Sequence, residues 1–287
     1  MLFIGVNYGR GAQKNPIIDG CEKAPLKIQT IYKNHKWEML SPTWEFDIEK
    51  LKADRFSENF EIQKIIYNHI SNLSKDEIEN HIFVGGDHSV NFAHFKAVKQ
   101  FYPNEDIGLI YIDAHFDIHT PESSKKEASG SPHGTNVRHL LGYGDERYLS
   151  LGTNEIPLKK ENLFFIGARS YEPSELQFVK SENIFTTDNS LVNNIDYLKD
   201  TVKTVLQKLN GKKYIISFDF DVLSTTDFTA VQVPEKNGIR FDFINEILPM
   251  LNTPKMICAE FVEYAPKFDI LGDSETKVKK IINHFIK

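Results

Sequence analysis

The chain has 287 residues, 40% apolar and 26% charged, with a formal net charge of −6. That composition builds an ordinary core and excludes a disordered chain. An acidic balance without a basic run excludes nucleic acid as a partner, and no apolar stretch approaches the roughly 20 residues of a membrane span. The two cysteines, Cys21 and Cys258, form no CxxC pair, which predicts a reducing compartment without a disulfide framework. The opening apolar run is too short for a signal peptide, so a cytoplasmic location is expected.

Leu2–Val6 reads as a strand leading into a glycine-rich loop, Gly9 to Gly11, that lacks the Gly-Lys-Ser/Thr ending of a phosphate cradle. Asp19 to Ile28, with Gly20, Glu22 and Pro25, reads as a turn entering a helix, and Ile62, Ile65, Ile66, Ile70 and Leu73 keep helical spacing. His81–Gly85 is a buried strand running into Gly86-Asp87-His88-Ser89, followed by a helix from Val90 to about Phe101 that Pro103 ends. Ile107–Asp113 is a further strand. Thr120 to Thr135 has no periodicity and is long for a connection, so it reads as a functional loop. Asn162–Gly167 is a strand with a loop beyond it, Arg169 to Glu175. A helix striped by Ile195, Leu198, Val202, Val205, Leu206 and Leu209 closes at Asn210-Gly211. Tyr214–Ser217 is a strand ending in Asp219-Phe220-Asp221, and Ile244, Ile247, Leu248 and Leu251 stripe another helix. Met256–Ala259 is the last strand, followed by Glu260, Glu263 and Pro266, and Val278, Ile281, Ile282 and Phe285 mark a terminal helix. This alternation, without repeat or linker, predicts one α/β domain over residues 1–287: three α/β/α layers around a doubly wound, mostly parallel sheet.

In such a sheet, ligands bind outside the carboxyl ends of the strands, and the polar clusters all fall at that end. Asp113, His115 and Asp117 stand at i, i+2 and i+4, a period that puts all three on one side of an extended chain. The competing reading is a polar loop whose residues cap helices and meet solvent. Asp219 and Asp221 likewise suit either a metal or a cap. With His88 these residues make six candidate ligands. Their four carboxylates balance two divalent cations and are costly to bury otherwise. Six ligands exceed the three or four of one zinc. Mostly oxygen donors with two imidazoles favour Mn²⁺, with Co²⁺, Fe²⁺, Ni²⁺ or Zn²⁺ as alternatives. The expected reaction class is metal-assisted hydrolysis. His81, His94 and His139 lie on strand or helix faces and read as packing histidines.

Gly85-Gly86-Asp87-His88-Ser89, Asp113-Ala114-His115-Phe116-Asp117 and Ser217-Phe218-Asp219-Phe220-Asp221 resemble, in order and spacing, the three metal motifs of the ureohydrolases: arginase, agmatinase and formimidoylglutamase. The resemblance extends from Gly5 through the Gly20–Pro25 turn to Glu263-Tyr264-Ala265-Pro266. It implies an arginase-like fold, two Mn²⁺ per chain, hydrolysis of a guanidino or formimino carbon, and a homo-oligomer, trimer or hexamer. Residue by residue, it implies His88 and Asp117 on one Mn²⁺, His115 and Asp221 on the other, and Asp113 and Asp219 bridging. His133, in Ser131-Pro132-His133-Gly134, matches the loop histidine that shuttles protons to the leaving amine. Glu263 matches the acid that pairs with the guanidinium, and Glu260 an acid just upstream. His133, Asp221 and Glu263 are thus the expected catalytic residues.

Asp117 to Pro121 followed by Ser129 to Gly134 looks most like arginase. In that family Ser129, and an Asn where this chain has His119, hold the substrate's α-amino acid end, and Glu172 stands where arginases carry an Asp. The expected substrate-binding residues are therefore His119, Ser129, Glu172, Glu260 and Glu263. Ser224 and Thr225 replace the Asp and Pro that follow the last metal motif, while Val231-Gln232-Val233-Pro234 and Phe116 lean towards formimidoylglutamase. The expected function is hydrolysis of arginine to ornithine and urea by metal-bridging hydroxide, with formimidoylglutamase or agmatinase as alternatives. A non-catalytic oligomeric binding module predicts lost metal ligands, and none of the six is missing. A two-metal phosphatase or nuclease needs cations for phosphate, and Lys125 and Lys126 read as solvated.

Overall fold

A computed structural model of the chain describes residues 1–12, 20–41, 55–128, 130–153 and 155–286. Asp19 and Ser129 lie outside the described residues. Strands form over Leu2–Val6 (β1), Lys36–Leu40 (β2), His81–Val84 (β3), Gly108–Ile112 (β4), Leu163–Ile166 (β5), Phe185–Thr186 (β6), Tyr214–Asp219 (β7) and Met256–Val262 (β8). They make one eight-stranded sheet in the order β2-β1-β3-β8-β7-β4-β5-β6, parallel at every pairing. The six inner strands are buried at every position, which is what a sheet covered on both faces requires. The edge strands carry no such run: β2 is half exposed and β6 has two residues. Neither is legible as an apolar segment.

The helices are Ala24–Ile31 (α1), Arg55–Ser71 (α2), Lys75–Glu79 (α3), Asn91–Lys99 (α4), Pro121–Glu127 (α5), Asn136–Leu140 (α6), Glu146–Leu149 (α7), Pro173–Ser181 (α8), Ile195–Leu209 (α9), Phe241–Leu251 (α10) and Ser274–Asn283 (α11). Strand alternation sorts the core into two halves. Leu109, Tyr111 and Phe165 point to one face and pack with Ile62, Ile66 and Ile70 of α2 and Phe92 and Phe95 of α4. Ile110, Ile112, Phe164 and Ile166 point to the other, against Leu198, Val202 and Val205 of α9 and Ile244, Ile247 and Leu248 of α10. The result is the three-layer α/β/α arrangement. Among the described residues, no helix is long and apolar enough to cross a membrane.

Three expectations change. The stretch Thr120 to Thr135 contains α5, entered through a capping box: Ser123 N donates to Thr120 Oγ1 at 3.1 Å and Thr120 N to Ser123 Oγ at 2.9 Å. Only Pro121 and Ser124 of that helix are buried, so periodicity cannot reveal it. The loop after β5 ends at Glu172, which caps α8 and puts Glu175 in a first turn. Finally, β8 runs through Glu260 to Val262, so Glu260 is a strand residue. β3, β8, β7 and β4 are neighbours at the middle of the sheet, and His88, Glu263, Asp219 and Asp113 lie at or just past their carboxyl ends.

Candidate active site

Three carboxylates at the inner end of the cleft each have one oxygen held by a backbone amide. Asp113 Oδ1 accepts from His115 N at 2.6 Å, Asp219 Oδ1 from Asp221 N at 2.7 Å, and Asp221 Oδ1 from Ala114 N at 3.1 Å. Their other oxygens converge with the imidazoles. His88 Nδ1 lies 2.8 Å from Asp113 Oδ2, 3.2 Å from Asp219 Oδ2 and 3.6 Å from Asp117 Oδ2. His115 Nδ1 lies 3.0 Å from Asp221 Oδ2 and 3.3 Å from Asp113 Oδ1. Strand alternation is not what gathers Asp113, His115 and Asp117, because β4 ends at Ile112. The chain bends there instead, and Asp117 sits in the left-handed region at φ 49°. Glu263 does the same at φ 63°. Such conformations cost of order 1–3 kcal/mol each and collect at functional sites.

The charges at this end call for cations. Burial, and then the neighbouring carboxylates, push Asp219 and Asp221 up, and Asp117 to about 6. Burial opposes a proton on His88 and His115, yet Asp113 and Asp219 hold His88, and Asp221 and Asp113 hold His115, above the ordinary imidazole range. Asp113 is driven below the usual carboxylate range by His115 and His88 against the effect of its own burial. Asp113 Oδ2 is buried and has no hydrogen-bond donor, although His88 Nδ1 is close. Two acceptor atoms aimed at a common point are what a metal ion requires. The ligand atoms of His88, Asp113 and Asp219, and those of Asp113, His115 and Asp221, lie within 4.8 Å of one another. Oxygen-rich sets with imidazole suit Mn²⁺ and similar divalent ions.

Several supports were not legible beforehand. Tyr111, stacked on His88 with ring centroids 4.4 Å apart, donates to Asp117 Oδ2 at 2.7 Å. The Arg169 guanidinium donates to the carbonyls of Asp221 at 2.8 Å, Lys236 at 2.8 Å and Glu235 at 3.1 Å, tying the last metal motif to the loop beyond it. A Cβ on Gly86 would run into the Tyr8 carbonyl, which accepts from Asp87 N at 2.8 Å, so that glycine is required by close approach. Glu260 departs from its expected place beside the substrate. It is fully buried beneath His88, accepting from Asn91 Nδ2 at 3.0 Å and Ser217 Oγ at 2.8 Å. Glu263 lies past the end of β8 and lines the cleft, accepting from His88 N at 2.9 Å.

The cleft has a volume of about 280 Å³. His133 lines it with Nδ1 3.7 Å from Glu263 Oε1. Burial works against protonation of His133, but Glu263 and Asp117 raise it above the ordinary range. At the outer end, His119 Nε2 lies 2.9 Å from Glu172 Oε2 and 3.5 Å from Glu175 Oε2, and its Nδ1 meets Ser123 Oγ at 2.9 Å. His119 is therefore engaged by acids instead of standing free for a substrate carboxylate. Glu175 accepts from Ile118 N and Glu172 N, each at 3.1 Å. Burial pushes Glu175 up to about 8, while His119 holds Glu172 at about 2. Glu175 and Glu235 line the cleft and were not expected there. The Glu172-x-x-Glu175 capping spacing was a usable signal for the first; the sequence around Glu235 offers none. Among the described residues, no Arg or Lys lines this space.

The profile of the arginase family matches residues 1–286. An arginase of Staphylococcus aureus (strain COL) is 29% identical over 215 residues, 72% of this chain and 68% of that protein. The crystal structure of an arginase from Bacillus subtilis subsp. subtilis str. 168 superposes with TM-score 0.86 at 22% identity, covering 100% of this chain and 98% of that one. A formimidoylglutamase from the same bacterium gives TM-score 0.76 at 20% identity, covering 99% and 84%. At such identities the structures establish the fold. The match along nearly the whole sequence establishes more: the chain belongs to the arginase family of ureohydrolases and is a hydrolase.

Proposed function

We propose that the chain hydrolyses the guanidinium group of L-arginine, giving L-ornithine and urea. The observation that carries this reading is the two-ended cleft, with a cation-demanding nest at its floor and an ammonium-seeking acid pair, Glu172 and Glu175, at its mouth. His88 and Asp117 would hold one Mn²⁺, His115 and Asp221 the other, with Asp113 and Asp219 shared. A bound pair supplies Lewis-acid activation of water at neutral pH. Glu263, with one oxygen occupied by His88 N, accepts N–H donors from the substrate guanidinium and orients its carbon over the floor. His133, held protonated beside Glu263, gives its proton to the amine as the carbon–nitrogen bond breaks. Glu172 and Glu175 receive the α-ammonium.

The acid lining favours agmatine as the second reading, ahead of formimidoylglutamate. Agmatine ends in an ammonium, and formimidoylglutamate presents carboxylates to Glu172, Glu175 and Glu235 with no Arg or Lys among the described lining residues. Arginine brings its single α-carboxylate together with the ammonium that these acids would receive, whereas formimidoylglutamate brings two carboxylates and no ammonium. The deciding experiment is a product assay with added Mn²⁺ across arginine, agmatine, guanidinobutyrate and formimidoylglutamate. Urea from arginine at the highest kcat/KM supports the proposal. Formamide from formimidoylglutamate at a higher value, or faster turnover of agmatine, sinks it.

A further inference from the structure

A chain of buried hydrogen bonds runs away from the metal end into the core. His88 Nε2 lies 2.7 Å from Ser217 Oγ, Ser217 Oγ 2.8 Å from Glu260 Oε1, Glu260 Oε2 2.7 Å from His94 Nδ1, and His94 Nε2 2.8 Å from His81 Nε2. His81 Nδ1 ends the chain 2.8 Å from the Ile78 carbonyl. All five side chains are at most 2% exposed, so the chain is shielded from bulk solvent. Phe83 stacks on His94 with centroids 4.1 Å apart and fixes that ring.

The proton positions along this chain follow from the chemistry of its ends. The Ile78 carbonyl only accepts, so His81 Nδ1 carries a proton. The Glu260 carboxylate only accepts, so His94 Nδ1 carries one as well. The two Nε2 atoms face each other at hydrogen-bond distance and need one proton between them. Placed on His94, it makes an imidazolium against the Glu260 carboxylate, which lowers the cost of burying that charge. Glu260 Oε1 then takes the only proton of Ser217. The hydroxyl, having donated, accepts from His88 Nε2. In the neutral, metal-ligating form of His88 that leaves the lone pair on Nδ1, aimed at Asp113 and Asp219 and 2.9 Å from the Tyr111 hydroxyl, whose proton goes to Asp117.

We infer that His94, backed by His81, is a positioning residue that sets the metal-ligating tautomer of His88 through Glu260 and Ser217. The inference rests on the reading of His88 Nδ1 as a metal ligand. His94 and His81 were expected to be packing histidines; their partners give them this second task. Cys258 Sγ is 3.9 Å from His94 Nε2, close enough for a His-His-Cys ion site to be the rival account. The 2.8 Å separation of the two imidazole nitrogens is that of a hydrogen bond.

The test titrates Mn²⁺ into the metal-stripped full chain and into His94→Gln, Ser217→Ala, the double variant and His88→Ala. Loss of a partner that orients a ligand weakens metal binding roughly 10–100-fold, so His94→Gln and Ser217→Ala should each fall in that range. The double variant should be no weaker than Ser217→Ala, because the link is already cut. Histidine ¹⁵N spectra of the unaltered chain, loaded with a diamagnetic divalent ion, should show the His88 proton on Nε2 and the His81 proton on Nδ1. This holds as a readout even where a variant fails to fold. Losses that multiply in the double variant, or a His88 proton on Nδ1, overturn the inference, as does a zinc ion held by His81, His94 and Cys258. Unchanged Mn²⁺ affinity in His88→Ala removes the ligand reading beneath it. The expected affinity pattern in a chain that releases no urea upholds the inference while sinking the function proposed above.

Discussion

At the inner end of the cleft, Asp113, Asp219 and Asp221 each give one oxygen to a backbone amide and turn the other towards His88 or His115. At the outer end, His119, Glu172 and Glu175 hold one another, on a loop and the cap and first turn of α8, with Glu172 about a third exposed. The inner groups sit at or just past the carboxyl ends of adjacent central strands, which fix their positions. The outer groups sit on a loop and a helix terminus, where His119 and Glu175 are buried and Glu172 is the more exposed of the three. A fold can therefore keep one chemistry at its floor and change its substrate at the rim.

The contrast predicts that damage at the floor is catastrophic and damage at the rim graded. The largest effect should come from Asp219→Ala. A carboxylate shared by both ions cannot be spared, so the metal content measured on the purified variant should drop at both sites and urea release should fall to background. Full metal content with normal turnover would falsify the shared-ligand assignment.

Next comes His133→Ala, which should lower kcat roughly 10²–10⁴-fold, the usual scale of acid–base assistance. Its Mn²⁺ affinity should survive, since His133 pairs with Glu263 and is not one of the six expected ligands. An unchanged kcat under conditions where chemistry limits turnover would take His133 out of the reaction.

Glu172→Gln should act on binding. Losing one charged hydrogen bond of about 1.5–3 kcal/mol raises KM for arginine roughly 10–100-fold, with kcat little altered because the contact persists through the reaction. A fall confined to kcat would move Glu172 from the rim to the chemistry and erase the contrast.

The smallest effect is on pH dependence. Glu175 keeps its proton until about pH 8, because burial penalises its charge. An incoming ammonium favours the carboxylate, so binding must release that proton below pH 8. KM for an ammonium-bearing substrate should therefore fall as pH rises towards 8, and Glu175→Gln should flatten that slope. A slope identical in the variant assigns the dependence to another group.

What the amino-acid sequence determined by itself was short in range. Buried apolar runs such as β4 and β5, striped helices such as α9 and the three ligand clusters are all local patterns, and local spacing encodes them. The arginase-like reading and the six expected ligands follow from those clusters. Tertiary structure decided the rest. It closed the sheet with β2 and β6, whose weak patterns win only by pairing with a preformed neighbour. It extended β8 through Glu260, so that alternation buries that acid beneath His88 while Glu263, at positive φ, reaches the cleft. It brought Glu235 to the pocket through the Arg169 clamp and joined His81 to His94 and Glu260 across β3, α4 and β8. These contacts join residues distant in the chain, and a hydrogen bond between them exists only after the sheet and helices have packed, because neither partner's neighbours in the sequence specify the other.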